Sequence, residues 1–392
     1  MLNKLTPQPA DKIIELIALY RDDPRDQKLD LGVGVYKDEF GKTPVMRAVK
    51  AAEARLLAMQ ESKSYVGLLG DLGFVDAMRK LVLGDVVPGD RIAGAQTPGG
   101  TGAIHQLLEL AKLASPDVKV WFSAPTWPNH PAIVKHLGLQ SATYRYFDEE
   151  TCGVDFDGMM ADLAAIGPND LVILHGCCHN PTGANLDAAQ WQAVTALLLE
   201  KGATPLIDLA YQGFGDGVDE DVAAMRSLVA ALPQSLIAAS CSKNFGLYRD
   251  RVGAAFAITP DAATQELAKG GLASMNRVNF SFPPDHGAKL VEIILTDDEL
   301  RADWQAELEE MRVRMLRLRD DLADALKRET NTDRFEFFRH HRGMFSRLGL
   351  TTEQVLALRS EHGVYMVGDS RINVAGLPDD GLGELAKAIA KA

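Results

Sequence analysis

Five apolar runs rich in Val, Ile and Ala recur through the middle of this chain, separated by stretches of helical periodicity: residues 118–123 (VKVWFS), 171–177 (LVILHGC), 204–210 (TPLIDLA), 235–242 (SLIAASCS) and 252–259 (VGAAFAIT). A strand that is apolar at nearly every position has to be covered on both faces, and the intervening helices supply the cover. The pattern therefore predicts a parallel sheet in an α/β architecture. Residues 185–202 (NLDAAQWQAVTALLLEKG) predict one of the covering helices, with Asp187 as N-cap and Gly202 as its stop. In such sheets ligands sit beyond the carboxyl ends of the strands, so chemistry is expected in the residues just after each run.

The two ends of the chain differ in texture. Residues 11–20 carry Ile13, Ile14, Leu16, Ile17 and Leu19 at helical spacing, and 302–328 reads as one long charged amphipathic helix. The runs FEFFRHHRGMFSRLG (335–349) and GVYMVGDSRINVAG (363–376) each predict part of a strand pair. Together these give a large α/β domain over 45–295 and a smaller α+β domain assembled from 1–44 and 296–392. There is no fixed-period repeat and no Gly/Ser- or Pro-rich linker between them.

Composition narrows the function classes. The 392 residues suffice for two or three domains, and 41 Lys+Arg against 54 Asp+Glu leave a net charge of −13, which disfavours nucleic acid as a partner. With 46% hydrophobic residues the chain is neither disordered nor low-complexity. Charged residues interrupt every apolar stretch near the amino terminus, and no run approaches a membrane span of about 18 residues, so a cytoplasmic protein is expected. Cys152, Cys177, Cys178 and Cys241 form neither a disulfide framework nor a zinc-ribbon spacing; the adjacent Cys177 and Cys178 read as small buried thiols.

Four constellations follow strand ends. In TPGGTGAIHQLLELAKLA (97–114), glycines lead directly into a helix. Free N–H groups, the helix dipole and the Thr101 hydroxyl suit a phosphate-sized anion, while a turn chosen for tight packing explains the glycines equally well. The glycine spacing matches neither a P-loop nor a dinucleotide fingerprint. In SCSKNFGLYRDRVGA (240–254), Lys243 directly follows an apolar strand, where burial would lower its pKa and make it a nucleophile or base. A strand-capping lysine and a surface Arg251 are the plainer alternative. Asp208 lies inside the apolar run LIDLAYQGF (206–214) and needs a partner, either a protonated heterocycle nitrogen or a nearby His or backbone donor. Tyr211, three residues on, is either core or a donor to the same ligand. In HGCCHNPTG (175–183), Asn180 is placed to donate to a ligand, and His175 and His179 lack a third metal ligand, so no metal is expected.

These motifs together resemble the aspartate and aromatic amino-acid aminotransferases, fold-type I enzymes that use pyridoxal 5′-phosphate. The resemblance runs nearly end to end, from LGVGVYKDEFGKTPV (31–45) through QTPGGTGA, APTWPNH, HGCCHNPTG, DLAYQGF, SKNFGLYRDRVGA and FPPDHGA to GVYMVGDSRINVAG, in family order. It implies a mainly parallel seven-stranded sheet in the large domain. It also implies that Lys243 bonds covalently to the cofactor, that Asp208 pairs with the ring nitrogen, and that Tyr211 and Asn180 hydrogen-bond its phenolic oxygen. Trp127 would stack on the ring, and Gly100, Thr101, Ser240 and Arg251 would hold the phosphate, joined by Tyr65 from the second subunit of a homodimer. His130 and His175 would stand behind Asp208.

For the substrate, the resemblance implies that Arg371 binds the α-carboxylate, supported by the Gly34 backbone and contacts from Trp127 and Asn180, and that Arg277 crosses the dimer interface to a distal carboxylate. One departure stands out: where aspartate-preferring relatives commonly carry Ser-Asn-Pro-Pro, this chain has Ser281-Phe282-Pro283-Pro284. Phe282 weakens the case for a strict dicarboxylate enzyme unless it only packs at the dimer interface, and the resemblance implies a transaminase acting on aromatic amino acids and aspartate with 2-oxoglutarate, by a ping-pong mechanism. A strict aspartate aminotransferase and a lyase or decarboxylase of the same fold are the alternatives.

Overall fold

The computed structural model describes residues 1–7 and 12–392. The predicted start of the first helix at residue 11 lies outside the described residues; the helix itself occupies Lys12–Asp22.

A seven-stranded sheet is the centre of the fold. Numbered within it, the strands are β1 (Ile92–Pro98), β2 (Lys119–Ala124), β3 (Gln140–Arg145), β4 (Asp170–His175), β5 (Thr204–Leu209), β6 (Ser235–Ser240) and β7 (Val252–Ile258). Their order is β1-β7-β6-β5-β4-β2-β3. Strands β6, β5, β4, β2 and β3 run parallel, whereas β7 is antiparallel to both β6 and β1. The apolar run at 252–259 pointed to a further parallel strand. Its direction is reversed because the link from β6 holds no helix, and a parallel return needs a crossover of a dozen or more residues.

Two strands carry little sequence signal. In β1 (IAGAQTP), small residues allow close packing: a Cβ on Gly94 would lie 2.7 Å from Val75 Cγ1. The edge strand β3 (QSATYR) is mostly exposed and polar. The helix Ala188–Lys201 begins and ends where the sequence places it. Asp187 accepts from Gln190 N in a capping box, and Gly202 closes the helix in the left-handed region at φ 68°.

Alternate strand residues enter opposite cores. Ile207, Ile237 and Phe256 pack with Phe74, Met78 and Val222, while Leu206, Leu236 and Ala255 pack with Ile104, Leu107 and Leu272. A third apolar cluster gathers Leu31, Leu318, Leu322, Phe338, Ile372 and Leu385. The helix Asp298–Thr330 serves two of these, with Trp304 and Leu308 in the first and Leu318 and Leu322 in the third. Beside the third cluster, Phe345–Arg347 pairs antiparallel with Arg371–Asn373, and Leu29–Asp30 pairs parallel with Val364–Tyr365. Residues Glu336–Arg339 form a short 3₁₀ turn rather than a strand.

Candidate active site

The carboxyl ends of the parallel strands open into a cavity of about 230 Å³. The turn after β2 brings Trp127, that after β4 brings Asn180, β5 and its continuation bring Asp208 and Tyr211, and β6 with its continuation brings Ser240, Ser242 and Lys243. Because β1 also points its carboxyl end here, the helix Gly99–Ala114 starts at the cavity and presents Gly100 and Thr101. Gly34 closes the opposite wall. A larger cleft of about 740 Å³ lies between the helices Ala188–Lys201 and Glu220–Ala231 and reaches His175, but neither Lys243 nor Asp208 lines it.

Asp208 is buried, and its Oδ2 lies 3.1 Å from His130 Nε2, whose other ring nitrogen is 2.7 Å from Thr126 Oγ1. Burial pushes the Asp208 carboxyl up, yet the His130 hydrogen bond and the neighbouring cationic groups, Lys243 among them, pull harder. It therefore stays below its ordinary value and is ionised at neutral pH. His175 sits 5.3 Å from the His130 ring, and burial, reinforced by His130, drives its pKa to about 3, so it is neutral. His179 is held elsewhere, between Ser123 Oγ at 3.0 Å and Thr182 Oγ1 at 2.9 Å. Ligand atoms of His130, His175 and Asp208 come within 4.8 Å of one another, but the hydrogen bonds of His130 to Asp208 and Thr126 occupy both of its ring nitrogens.

Lys243 Nζ lies 4.7 Å over the Tyr211 ring. Burial, joined by the Arg251 guanidinium and opposed by Asp208, draws the amine down to about 8. The Tyr211 hydroxyl accepts a long bond of 3.5 Å from Asn180 Nδ2, and burial raises its pKa. In the anion corner, Arg251 Nη1 donates to Tyr248 O at 3.1 Å and reaches Ser242 Oγ at 3.4 Å, beside Ser240 and the helix start. The glycines there are sterically required. A Cβ on Gly99, at φ +72°, would lie 2.6 Å from Arg251 Nη2, and one on Gly100 would lie 2.9 Å from Ser240 Cβ. Ser242 lines the cavity beside Ser240, as the serines flanking Lys243 suggest for an anion-holding turn. Tyr248 also lines it and escaped the sequence reading; its signal was position, since it stands between Lys243 and Arg251.

Arg371 is buried next to Gly34. It donates to Gly32 O at 3.0 Å, lies 4.4 Å over the Phe345 ring, and its Nε has no protein partner among the described residues. Tyr65 and Arg277 are not brought into the cavity lining. Tyr65 is 84% exposed yet stacks on Phe282 at 4.7 Å, and Arg277 donates to Ser281 Oγ at 2.7 Å with its guanidinium 5.8 Å from the Phe282 ring.

The donor set fits pyridoxal phosphate. The cavity offers a cation with hydroxyls and a helix start for a phosphate, an ionised carboxylate for a protonated ring nitrogen, and an amine of lowered pKa for a carbonyl carbon. Asn180 Oδ1 is buried without a partner among the described residues, as expected of a group that awaits a ligand.

Comparison with known proteins agrees with this geometry. The family described as aminotransferase class I and II matches residues 26–389. The chain is 57% identical over 389 residues to an aromatic-amino-acid aminotransferase of Paracoccus denitrificans, covering 99% of each chain. It is 43% identical over 392 residues to an aspartate aminotransferase of Salmonella typhi, again covering 99% of each. A solved aromatic-amino-acid aminotransferase from Burkholderia pseudomallei, described as covalently bound to pyridoxal phosphate, superposes with a TM-score of 0.97 at 40% identity, covering 100% of this chain and 99% of that one. A match of this extent, on a fold whose strand ends carry these side chains, means that the chain belongs to the class I and II aminotransferase family.

Proposed function

We propose that this chain is a pyridoxal-phosphate-dependent transaminase that takes the amino group of an aromatic amino acid or aspartate and gives it to 2-oxoglutarate. The observation that carries the reading is the pairing, across one cavity, of an amine lowered to about 8 with a buried, ionised carboxylate and an anion corner. The 57% identity to a protein named for aromatic amino acids supports the substrate class.

When bound, pyridoxal phosphate supplies an electrophilic carbon and an electron-withdrawing ring. Lys243 would hold the cofactor through its amine, and the same amine would take and return the proton at the substrate Cα. Asp208, fixed by His130, would keep the ring nitrogen protonated. Tyr211 and Asn180 would hold the phenolic oxygen, Trp127 would stack on the ring, and Gly100, Thr101, Ser240 and Arg251 would hold the phosphate. Arg371 binds the α-carboxylate through a bidentate pair, with Gly34, Trp127 and Asn180 around it. Tyr65 and Arg277 act across a homodimer interface, which accounts for their exposure in a single chain. The division into a 45–295 domain and a smaller 1–44 plus 296–392 domain, and a cytoplasmic location, belong to the same proposal. Among the described residues no helix is long and apolar enough to cross a membrane.

The test is a pair of stopped-flow half-reactions of the cofactor-loaded protein with phenylalanine and with aspartate, read as loss of the cofactor's visible absorbance. Comparable rate-to-affinity ratios are expected. A preference for aspartate of several orders of magnitude would replace the reading with a strict aspartate enzyme. Release of ammonia or carbon dioxide without consumption of oxo acid would replace it with a lyase or decarboxylase. Turnover should vanish in Lys243→Ala.

A further inference from the structure

The helix Asp298–Thr330 buries one guanidinium, that of Arg319, which is 1% exposed. A buried charge is costly, and among the described residues this one is met by neutral acceptors, with no carboxylate paired to it. Nη1 donates to Ser346 Oγ at 2.6 Å and to Phe338 O at 3.5 Å, and Nη2 donates to Gly343 O at 2.7 Å and to Phe345 O at 3.0 Å. His341 braces the same turn, with Nδ1 3.0 Å from Ser346 Oγ and Nε2 2.8 Å from Cys152 O. Gly343 lies so close to Cys178 that a Cβ there would come within 2.3 Å of the cysteine Cβ. The 343–346 segment is thus held by Arg319, His341 and Cys178.

This segment touches both halves of the candidate site. The Phe345 ring lies 4.4 Å under the Arg371 guanidinium, stands edge-on to Tyr211 at 6.1 Å, and leaves no room for a Cβ on Gly34, which would lie 2.9 Å from its Cζ. Its neighbours Arg342 and Arg347 donate their amides to Gly183 O and Thr182 O, in the turn that carries Asn180. Among the described residues Arg371 makes a single side-chain hydrogen bond, to Gly32 O, and the face of Phe345 supports its guanidinium.

We propose that Arg319 is a positioning residue for Arg371, acting through Phe345. The proposal rests on the reading of Arg371 as the site of the substrate carboxylate. Arg319 is needed as an arginine because its planar fork spans several carbonyls at once, which neither a lysine nor an apolar side chain does.

The test compares phenylalanine with 2-phenylethylamine, the same aromatic amine without the carboxylate, in single turnovers of the cofactor-loaded enzyme. Arg319→Met is expected to raise the half-saturating phenylalanine concentration about tenfold with the limiting single-turnover rate within about twofold, leaving 2-phenylethylamine within about twofold. The equilibrium affinity for unreactive 3-phenylpropionate should fall by the same factor, and Arg319→Lys should recover part of it. Equal losses on both amines, or no change in either, would overturn the proposal. Should Arg319→Met fail to fold, Arg319→Lys carries the same comparison. Arg371→Leu separates the two layers. If it spares phenylalanine, the reading of Arg371 itself fails. If it weakens phenylalanine and 3-phenylpropionate while the Arg319 variants do not, only the positioning role fails.

Discussion

Replacing Lys243 with methionine should stabilise the cofactor-free protein even as it removes activity. The amine is drawn from its ordinary 10.5 to about 8, first by burial, then by Arg251, with Asp208 pulling the other way. At pH 7 it is protonated in both the folded and the unfolded chain, so folding carries the full cost of holding that charge, about 3 kcal/mol. The side chain faces a cavity rather than a closed core, and solvent screening there trims the expected gain to about 2 kcal/mol. For a chain of this length that corresponds to a rise in Tm of about 2–3 °C. The sign is opposite to that of a lysine whose pKa a partner raises, and matches that of a carboxylate held below its ordinary value. As pH climbs through 8 the folded amine loses its proton while the unfolded one keeps it, so wild-type stability rises until about 10.5 and the advantage of the variant fades. Thermal unfolding of both cofactor-free proteins at pH 7 and pH 10 measures this directly. Methionine packing is independent of pH, so the difference between the two conditions isolates the charge. A lower Tm for Lys243→Met at pH 7, or a gain equally large at pH 10, would refute the reasoning.

Three further outcomes follow from the geometry. His130→Phe removes the hydrogen bond that holds the Asp208 carboxyl down, so its pKa rises; kcat should fall about tenfold, and the acidic limb of the kcat–pH profile should move to higher pH. Gly99→Ala puts a Cβ against Arg251 at a backbone angle that favours glycine, and a weakening of cofactor affinity of about tenfold is expected on equilibrium dialysis. Phe282→Asn removes the stack on Tyr65 and the ring beside Arg277; kcat/KM for phenylalanine should drop about tenfold with aspartate within about twofold. Equal changes on the two substrates would mean that Phe282 only packs.

What the sequence made legible was chemistry that apolar surroundings make expensive. Asp208 in LIDLA and Lys243 after SLIAASCS stood out because a charge in such a run needs a reason, and both line the cavity. The helix Ala188–Lys201 was legible because its borders are local hydrogen bonds made by Asp187 and Gly202. Strands β1 and β3 were not, since one is built of small residues and the other is polar and exposed, and neither composition depends on local periodicity. The reversal of β7 was hidden for a related reason: direction is set by the length of a connection and not by the residues of the strand.

The residues that escaped reading act at a distance in sequence. Tyr248 lines the cavity while its hydroxyl accepts from Tyr36 N, and Arg319 reaches carbonyls about twenty residues further along the chain. Neither contact leaves a pattern, because each exists only once the strand ends and the third apolar cluster have closed on one another. Asp208, Lys243, Arg319 and Arg371 are charged side chains withdrawn from bulk solvent around one cavity and the segment beneath it, and each opposes folding unless its neighbours compensate. A fold selected for stability alone would replace them with apolar residues of similar volume. That they sit together, on the strand ends and the turn facing them, is the physical sign that this part of the molecule is organised around a ligand that carries both charge and a reactive carbon.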